Sequence, residues 1–274
     1  MEYKTLKNGF KMPVLGLGTW AIGGEREIDH SLDKEWIAAI KEAIELGLTH
    51  IDTAEMYGCG HAEELIAKAI TDREKLFITS KVYPTNLKYD DLIKAAEGSL
   101  KRLKTKYLDL YLLHNPNPDI PIEETMKAMN YLKEEGMIKN IGVSNFSGKQ
   151  LGEASKHGKI LLNQIEYSLL VRNQGLLSTN MEKEIIPYCQ KNDIFIQAWR
   201  PLCKGMLAKP GIPTLDKLFK KYNKSRGQIA LNWLLSKKNV ITIVKSSNLE
   251  HLKENLGCLG WKLSKEDVGL LDNK

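Results

Sequence analysis

The chain has 274 residues and a formal net charge of +6, with 42% hydrophobic and 27% charged residues. Chains of this length bury a sufficient core without disulfides or metals, and α/β barrels reach it as one domain. No run approaches the roughly 18 apolar residues of a membrane span, and no apolar leader opens the chain. We therefore expect one cytoplasmic domain over residues 1–274.

The cysteines and the charge pattern exclude several kinds of site. Cys59, Cys189, Cys203 and Cys258 form no C-x-x-C pair, and no Cys/His group has the spacing of zinc ligands. We expect four free thiols and no metal. Lysines alternate with acids along the predicted helices, and there is no basic tail, so no nucleic-acid partner is indicated. The positive charge is compatible with a phosphate-bearing ligand.

The first element is a hairpin. In "TLKNGFKMPVLG", Asn8 and Gly9 separate two short strand-like runs, which is a strong hairpin signal.

After the hairpin, apolar strands and amphipathic helices alternate. Strands are predicted at 13–19, 49–54, 76–82, 107–115, 138–144, 161–168, 194–200 and 240–245. Helices are predicted at 33–47, 61–70, 89–103, 121–136, 147–157, 180–192 and 213–238, and a last one begins at "SNLEHLKENLG". Eight such units predict a (β/α)8 TIM barrel whose active site lies at the carboxyl ends of the strands. An open doubly wound sheet is the alternative, but "GLGTWAIGGE" does not enter a helix at once, as a G-x-G-x-x-G turn does.

Polar residues stand at every predicted strand end. In chain order they are Gly18, Thr19, Trp20; Asp52 with Tyr57; Ser80, Lys81; His114, Asn115; Ser144, Asn145; Gln164, Glu166; Trp199, Arg200; and Lys245, Ser246. Each has a purely structural interpretation when taken alone, such as a turn cap for Asp52 or a core histidine for His114. Because the second, third and fourth strands are neighbours in a barrel, Asp52, Tyr57, Lys81 and His114 should meet on one rim.

These four residues form a coherent proton-transfer set, which we call the catalytic quartet. A tyrosine has an ordinary pKa near 10, and an adjacent ammonium lowers it. Lys81 can supply that ammonium, and a buried lysine needs an anion such as Asp52. His114 can hydrogen-bond a substrate oxygen. A tyrosine that protonates a carbonyl oxygen implies reduction.

The sequence resembles the aldo-keto reductase superfamily over nearly its whole length. The likeness lies in "GLGTW", "IDTAEMYG", "ITSKV", "LDLYLLH", "IGVSNF", "NQIEYS" and "VKSSNLEHLKEN", which follow in family order. It implies a barrel whose floor is closed by the hairpin. It also implies NADP(H)-dependent reduction of aldehydes and ketones, with Tyr57 as the general acid, Lys81 and Asp52 as its tuning pair and His114 as the group that orients the carbonyl.

The resemblance also implies the cofactor contacts. Those expected are Gly18, Thr19, Trp20, Asp52, Ser144, Asn145, Gln164, Trp199, Arg200, Pro201, Leu202, Lys245, Ser246, Ser247, Asn248, His251, Glu254 and Asn255. Arg200 replaces a family serine, and it either contacts the cofactor phosphates or points to solvent. His251 replaces a common arginine, so some NAD(H) use is expected beside NADP(H). A Ser-x-x-Glu capping box is the alternative interpretation of Ser247 and Glu250.

The resemblance implies a substrate pocket formed by Trp20, Tyr83, His114 and Asn115. Family members with a long C-terminal loop use it to cover the substrate pocket, and this sequence has almost none. In this it resembles short bacterial reductases of small sugars, keto acids or aldehydes, such as 2,5-diketo-D-gluconate reductases. The short loop suggests broad substrate specificity. We expect a monomer or a weak homo-oligomer.

Two other functions are compatible with the fold. One is a cofactor-sensing regulatory subunit without turnover. The other is a phosphate-handling isomerase with Glu166 as its base.

Overall fold

The computed structural model describes residues 1–246 and 248–273. Within them, an N-terminal hairpin precedes a closed barrel of eight parallel strands. The hairpin strands are β1 (Tyr3–Thr5) and β2 (Lys11–Pro13). The barrel strands are β3 (Leu15–Gly18), β4 (His50–Asp52), β5 (Phe77–Val82), β6 (Leu110–Leu113), β7 (Ile141–Ser144), β8 (Ile160–Glu166), β9 (Phe195–Trp199) and β10 (Val240–Val244). They pair in chain order, and β10 closes on β3. The predicted barrel is confirmed.

Helices follow the barrel strands and cover the outside. They are α1 (Asp33–Glu45), α2 (His61–Ala69), α3 (Tyr89–Leu103), α4 (Ile122–Glu134), α5 (Gly148–His157), α6 (Ile186–Lys191), α7 (Pro213–Tyr222), α8 (Arg226–Ser236), α9 (Leu249–Leu256) and α10 (Lys265–Asp272). Their apolar faces pack on outward-facing strand residues in one large core.

Two helix predictions need correction. The predicted helix 213–238 is two helices, because Asn223 adopts a left-handed conformation that ends α7 and a Ser225–Gln228 capping box starts α8. The helix at "SNLEHLKENLG" is not the last, since α10 follows it.

The hairpin lies across the amino-terminal end of the barrel. Leu6 and Met12 pack with interior side chains near the starts of the strands, among them Leu110, Phe195 and Ile241. Lys4 donates from Nζ to the backbone oxygens of Lys237 and Val240, both at 2.5 Å. The floor is therefore sealed by apolar packing, and the opposite end remains for polar chemistry. Among the residues described, no helix is both long and apolar enough to cross a membrane.

Candidate active site

Asp52 and Lys81 form a buried ion pair inside the carboxyl end of the barrel. Asp52 ends β4 and pairs with Thr79 of β5, so the alternation of a strand puts Lys81 on the same inner face. The Lys81 Nζ lies 2.5 Å from Oδ1 of Asp52 and 2.8 Å from the Thr53 carbonyl oxygen. Both side chains are buried. Removing either partner would leave an unpaired charge inside the barrel.

The second oxygen of Asp52 accepts hydrogen bonds from two glutamines. Nε2 of Gln164 lies 2.7 Å and Nε2 of Gln197 lies 2.9 Å from Oδ2. These bonds fix the carboxylate with one oxygen toward Lys81. Gln197 was not among the residues predicted from the sequence, although its position two residues before Trp199 on one strand predicts the same inward face.

A tight turn places Tyr57 over this pair. The chain forms a 3-10 helix at Tyr57–Gly60, in which Gly58 has a φ of +53°. A Cβ at Gly58 would lie 2.3 Å from the Gly23 carbonyl oxygen, so the turn requires glycine. The Tyr57 hydroxyl lies 3.2 Å from the Lys81 Nζ. The predicted convergence of Asp52, Lys81 and Tyr57 is thus present.

Burial changes the expected protonation of Tyr57. Burial raises the pKa of this phenol, and the opposing effect of the Lys81 ammonium does not cancel it, so the net shift is upward. The expectation of a lowered Tyr57 pKa is therefore wrong for this structure, because desolvation outweighs the nearby charge. For Lys81, burial lowers the pKa, but Asp52 and Tyr57 outweigh it and the net shift is upward. The pair is an ammonium beside a neutral phenol, which is a proton donor.

His114 and Trp20 form two walls around the Tyr57 ring. Their rings meet it edge-on, with centroids 5.7 Å away for His114 and 5.1 Å away for Trp20. Burial, together with the Lys81 charge, lowers the pKa of His114 to about 3. His114 is therefore neutral at physiological pH. Its Nδ1 is buried and has no partner within the described ranges.

A second group of polar side chains lies on the ends of β7, β8 and β9. Asn145 donates from Nδ2 to Oδ1 of Asn115 at 2.8 Å and to Oγ of Ser144 at 3.1 Å. Its Oδ1 accepts from Nε1 of Trp199 at 3.2 Å. Asn145 is therefore held by protein partners. The Ser144 Oγ accepts from Asn145, and Gln164 donates from Nε2 to Asp52, so its amide oxygen is turned away from that carboxylate.

Arg200 follows β9 and pairs with a carboxylate at the rim. Its Nη1 lies 3.6 Å from Oε1 of Glu166, and its guanidinium carbon lies 5.0 Å from the Trp199 ring centroid. Glu166 also accepts a hydrogen bond from the Leu176 backbone nitrogen at 2.6 Å. Both carboxylate oxygens of Glu166 thus have partners, which argues against Glu166 as the catalytic base of an isomerase. Pro201 and Leu202 continue from Arg200 into the next turn.

The residues after β10 lead into α9. Lys245 lies over the ring of Trp36, with Nζ 5.4 Å from its centroid. Ser246 accepts from the Asn248 nitrogen, and Asn248 caps α9 by accepting from the Glu250 and His251 nitrogens. Ser247 lies outside the described residues. The α9 N-cap is Asn248, and the Ser247–Glu250 capping box falls on a residue that the structure does not describe.

The remaining predicted contacts lie at the periphery. His251 and Glu254 are exposed on α9, and Asn255 is half-buried. Tyr83 is 37% exposed, and its backbone nitrogen donates to Oε1 of Glu55 at the rim. These side chains do not contact the quartet directly.

The sequence and the fold match known proteins. The profile of the Aldo/keto reductase family matches residues 14–274. The chain is 36% identical over 268 residues to the methylglyoxal reductase YeaE of Escherichia coli, covering 95% of this chain and 90% of that protein.

Solved structures agree in fold over almost the whole chain. The thermostable aldo-keto reductase Tm1743, solved with the inhibitor epalrestat, has a TM-score of 0.94 and 46% identity, covering 100% of this chain and 99% of that one. An aldo-keto reductase of Klebsiella pneumoniae in complex with NADPH has a TM-score of 0.87 and 33% identity, covering 100% and 95%. With the barrel and the strand-end residues described above, these matches show that the chain belongs to the aldo/keto reductase family of oxidoreductases.

Proposed function

We propose that this protein reduces small aldehydes and ketones, including dicarbonyl compounds, with NADPH as the preferred nicotinamide cofactor. The observation that carries the proposal is the contact of Tyr57 with Lys81, whose charge is secured by Asp52. A neutral phenol held by a permanent ammonium is suited to protonate a carbonyl oxygen as it becomes an alcohol.

The polar groups on β7 and β8 suit a nicotinamide carboxamide. A carboxamide needs one acceptor for its NH₂ and one donor for its oxygen. Gln164 keeps Oε1 available because its Nε2 is taken by Asp52, and the Ser144 hydroxyl can donate. Trp199 offers a flat aromatic surface beside them. Lys245 supplies positive charge near the start of α9 for a phosphate group. The cofactor supplies the hydride.

The quartet residues divide the remaining work. His114 is neutral, and its buried Nδ1 lacks a hydrogen-bond acceptor, so we assign the ring proton to Nε2, which can hydrogen-bond the substrate oxygen. Tyr57 donates its hydroxyl proton to that oxygen. Lys81 stabilises the phenolate left behind, and Asp52 keeps Lys81 charged through the cycle.

The substrate class rests on the rim and on the relatives. Trp20 and Tyr57 give an aromatic wall, and His114 with Asn115 adds polar groups, which suits a short molecule with adjacent oxygens. The similarity to a methylglyoxal reductase supports a small dicarbonyl substrate.

Steady-state assays test this proposal. Wild type and Tyr57→Phe are mixed with NADPH, and separately with NADH, using methylglyoxal and glyceraldehyde. We expect NADPH oxidation by wild type and a loss of kcat of about 10²- to 10⁴-fold in the variant. Phenylalanine keeps the Trp20 and His114 contacts, so cofactor binding should persist.

Two results would contradict the proposal. NADPH binding by wild type without carbonyl turnover would favour the regulatory-subunit function. Turnover that survives Tyr57→Phe would assign the proton donor elsewhere.

A further inference from the structure

A cluster of two histidines and two acids lies outside the catalytic quartet, where the start of α1 meets the start of α2. Nε2 of His61 lies 2.7 Å from Oδ1 of Asp33, and Nδ1 of His30 lies 3.1 Å from Oδ2 of the same carboxylate. Nδ1 of His61 lies 3.0 Å from Oε2 of Glu64. The cluster therefore joins the β3–α1 loop to the turn that follows Tyr57.

His61 faces a carboxylate oxygen with each of its ring nitrogens. A neutral imidazole carries a proton on only one nitrogen, so one of these contacts would set a lone pair against an anion. Both contacts are attractive only if the ring carries two protons or if a cation takes the place of one of them. The side chain is 1% exposed, so water cannot compensate for an unfavourable contact.

We propose that His30, Asp33 and His61 form a binding site for a divalent transition-metal ion, with zinc as the best match. Imidazole nitrogens with one carboxylate are ligands that zinc binds tetrahedrally, whereas magnesium and calcium prefer oxygen ligands alone. One ligand atom from each of the three residues lies within 4.8 Å of the others. A tetrahedral zinc site sets its ligands about 3.4 Å apart.

Two further features suit a metal. The His30 side chain is 69% exposed, so its ring is free to adjust to an ion. Glu64 holds Nδ1 of His61, as carboxylates commonly hold the outer nitrogen of a metal-bound histidine, and this leaves Nε2 for the ion. The fourth position is left for water.

The ion would have a structural role, because the site lies beside the turn Tyr57–Gly60 that carries the Tyr57 hydroxyl. The Gly58 nitrogen donates to the Glu25 carbonyl oxygen at 3.1 Å, so the β3–α1 loop already supports the turn that carries Tyr57. An ion shared by His30, Asp33 and His61 would cross-link the same two segments a second time. The cluster has no short sequence motif of metal ligands, because Asp33 and His61 are separated by 28 residues. The absence of a metal was therefore expected from the sequence.

Zinc titration of chelator-treated full-length protein tests the site. We expect one zinc per chain in wild type and an affinity at least about tenfold lower in His30→Gln and in Asp33→Asn. His30 is exposed, so its substitution should not unfold the protein. His157→Gln is the matched control, because His157 is also paired with an acid, Glu153, on a different helix. That variant should bind zinc like wild type. Cobalt(II) should give the visible absorption of a four-coordinate nitrogen–oxygen site in wild type and lose it in His30→Gln.

Three results would overturn the site. The first is no saturable zinc binding in wild type. The second is equal binding in wild type, His30→Gln and Asp33→Asn. The third is binding abolished by Cys59→Ser but unchanged in His30→Gln, which would place the ion at that exposed thiol.

Discussion

Two lysines at opposite ends of the same barrel, the buried Lys81 and the half-buried Lys4, have pKa values shifted in opposite directions. Lys81 at the carboxyl end contacts Asp52, and its pKa is raised although burial opposes this. Among the residues that the structure describes, Lys4 at the floor donates only to backbone carbonyl oxygens, and burial lowers its pKa to about 7. The difference between them is the carboxylate partner: Lys81 has one and stays charged, whereas Lys4 has none in the described part of the chain and titrates near neutrality.

This difference assigns distinct tasks to the two ends. At the rim, the proposed reduction requires that Lys81 stay charged next to Tyr57, and Asp52 is itself held by Gln164 and Gln197. At the floor, Lys4 joins the hairpin to the backbone that leads into β10 through two hydrogen bonds to carbonyl oxygens.

Asp52→Asn should have the largest effect, because it removes the carboxylate that distinguishes Lys81 from Lys4. Lys81 would then have only neutral partners, as Lys4 has. We expect kcat to fall by about a hundredfold or more and the free energy of unfolding to fall by about 3 kcal/mol. Asp109→Asn is the control, since it breaks an ion pair with Arg73 away from the rim. It should reduce stability but leave kcat unchanged. An Asp52→Asn enzyme with normal kcat would contradict the role of the pair.

Acid should destabilise the protein through its buried histidines. Burial lowers the pKa of His50 to about 4 and, with Lys81, that of His114 to about 3, below an ordinary value near 6.5. The unfolded chain binds protons at these sites that the folded chain does not. The free energy of unfolding is therefore highest above pH 6.5. It decreases as the pH falls from 6.5 through the folded-state pKa values of the two histidines, by about 3 kcal/mol for His50 alone. Chemical denaturation at pH 7 and pH 4 checks this.

His50→Gln should remove about half of that loss, because it deletes one of the two titrating rings and leaves His114 in place. The surface variant His157→Gln should retain it. An unchanged pH dependence in His50→Gln would show that other groups control acid unfolding.

Lys4→Met should have the smallest effect. Because the folded pKa of Lys4 is about 7, against an ordinary 10.5, wild-type stability should rise as pH increases from 7 to 10.5. Methionine removes that gain, which we place at about 1 kcal/mol because water screens the ammonium. Denaturation curves at both pH values measure it, and a gain of equal size in the variant would contradict the assignment.

Much of the fold was readable because its signals are local. Asn8-Gly9 marked the hairpin, and the alternation of strands and helices gave the barrel. The strand-end positions of Asp52, Lys81 and His114 followed from parallel strands ending on one rim. The break at Asn223 was missed because a continuous helical pattern hides a single left-handed residue.

The electrostatics of the site were less readable. The direction of the Tyr57 pKa shift depends on how completely Trp20 and His114 cover the ring, which spacing does not reveal. The pairing of Arg200 with Glu166 joins residues from two different strand ends. The His30–Asp33–His61 cluster likewise needs the packing of α1 beside α2.

The pH dependence of hydride transfer in a single turnover tests the central claim that Tyr57 is the proton donor. Because the Tyr57 pKa lies above its ordinary value of 10, the rate with NADPH and methylglyoxal should stay level from pH 6 to 9 and fall only above 10. A rate that already falls with a midpoint between pH 6 and 8 would indicate a histidine acid and would contradict the account.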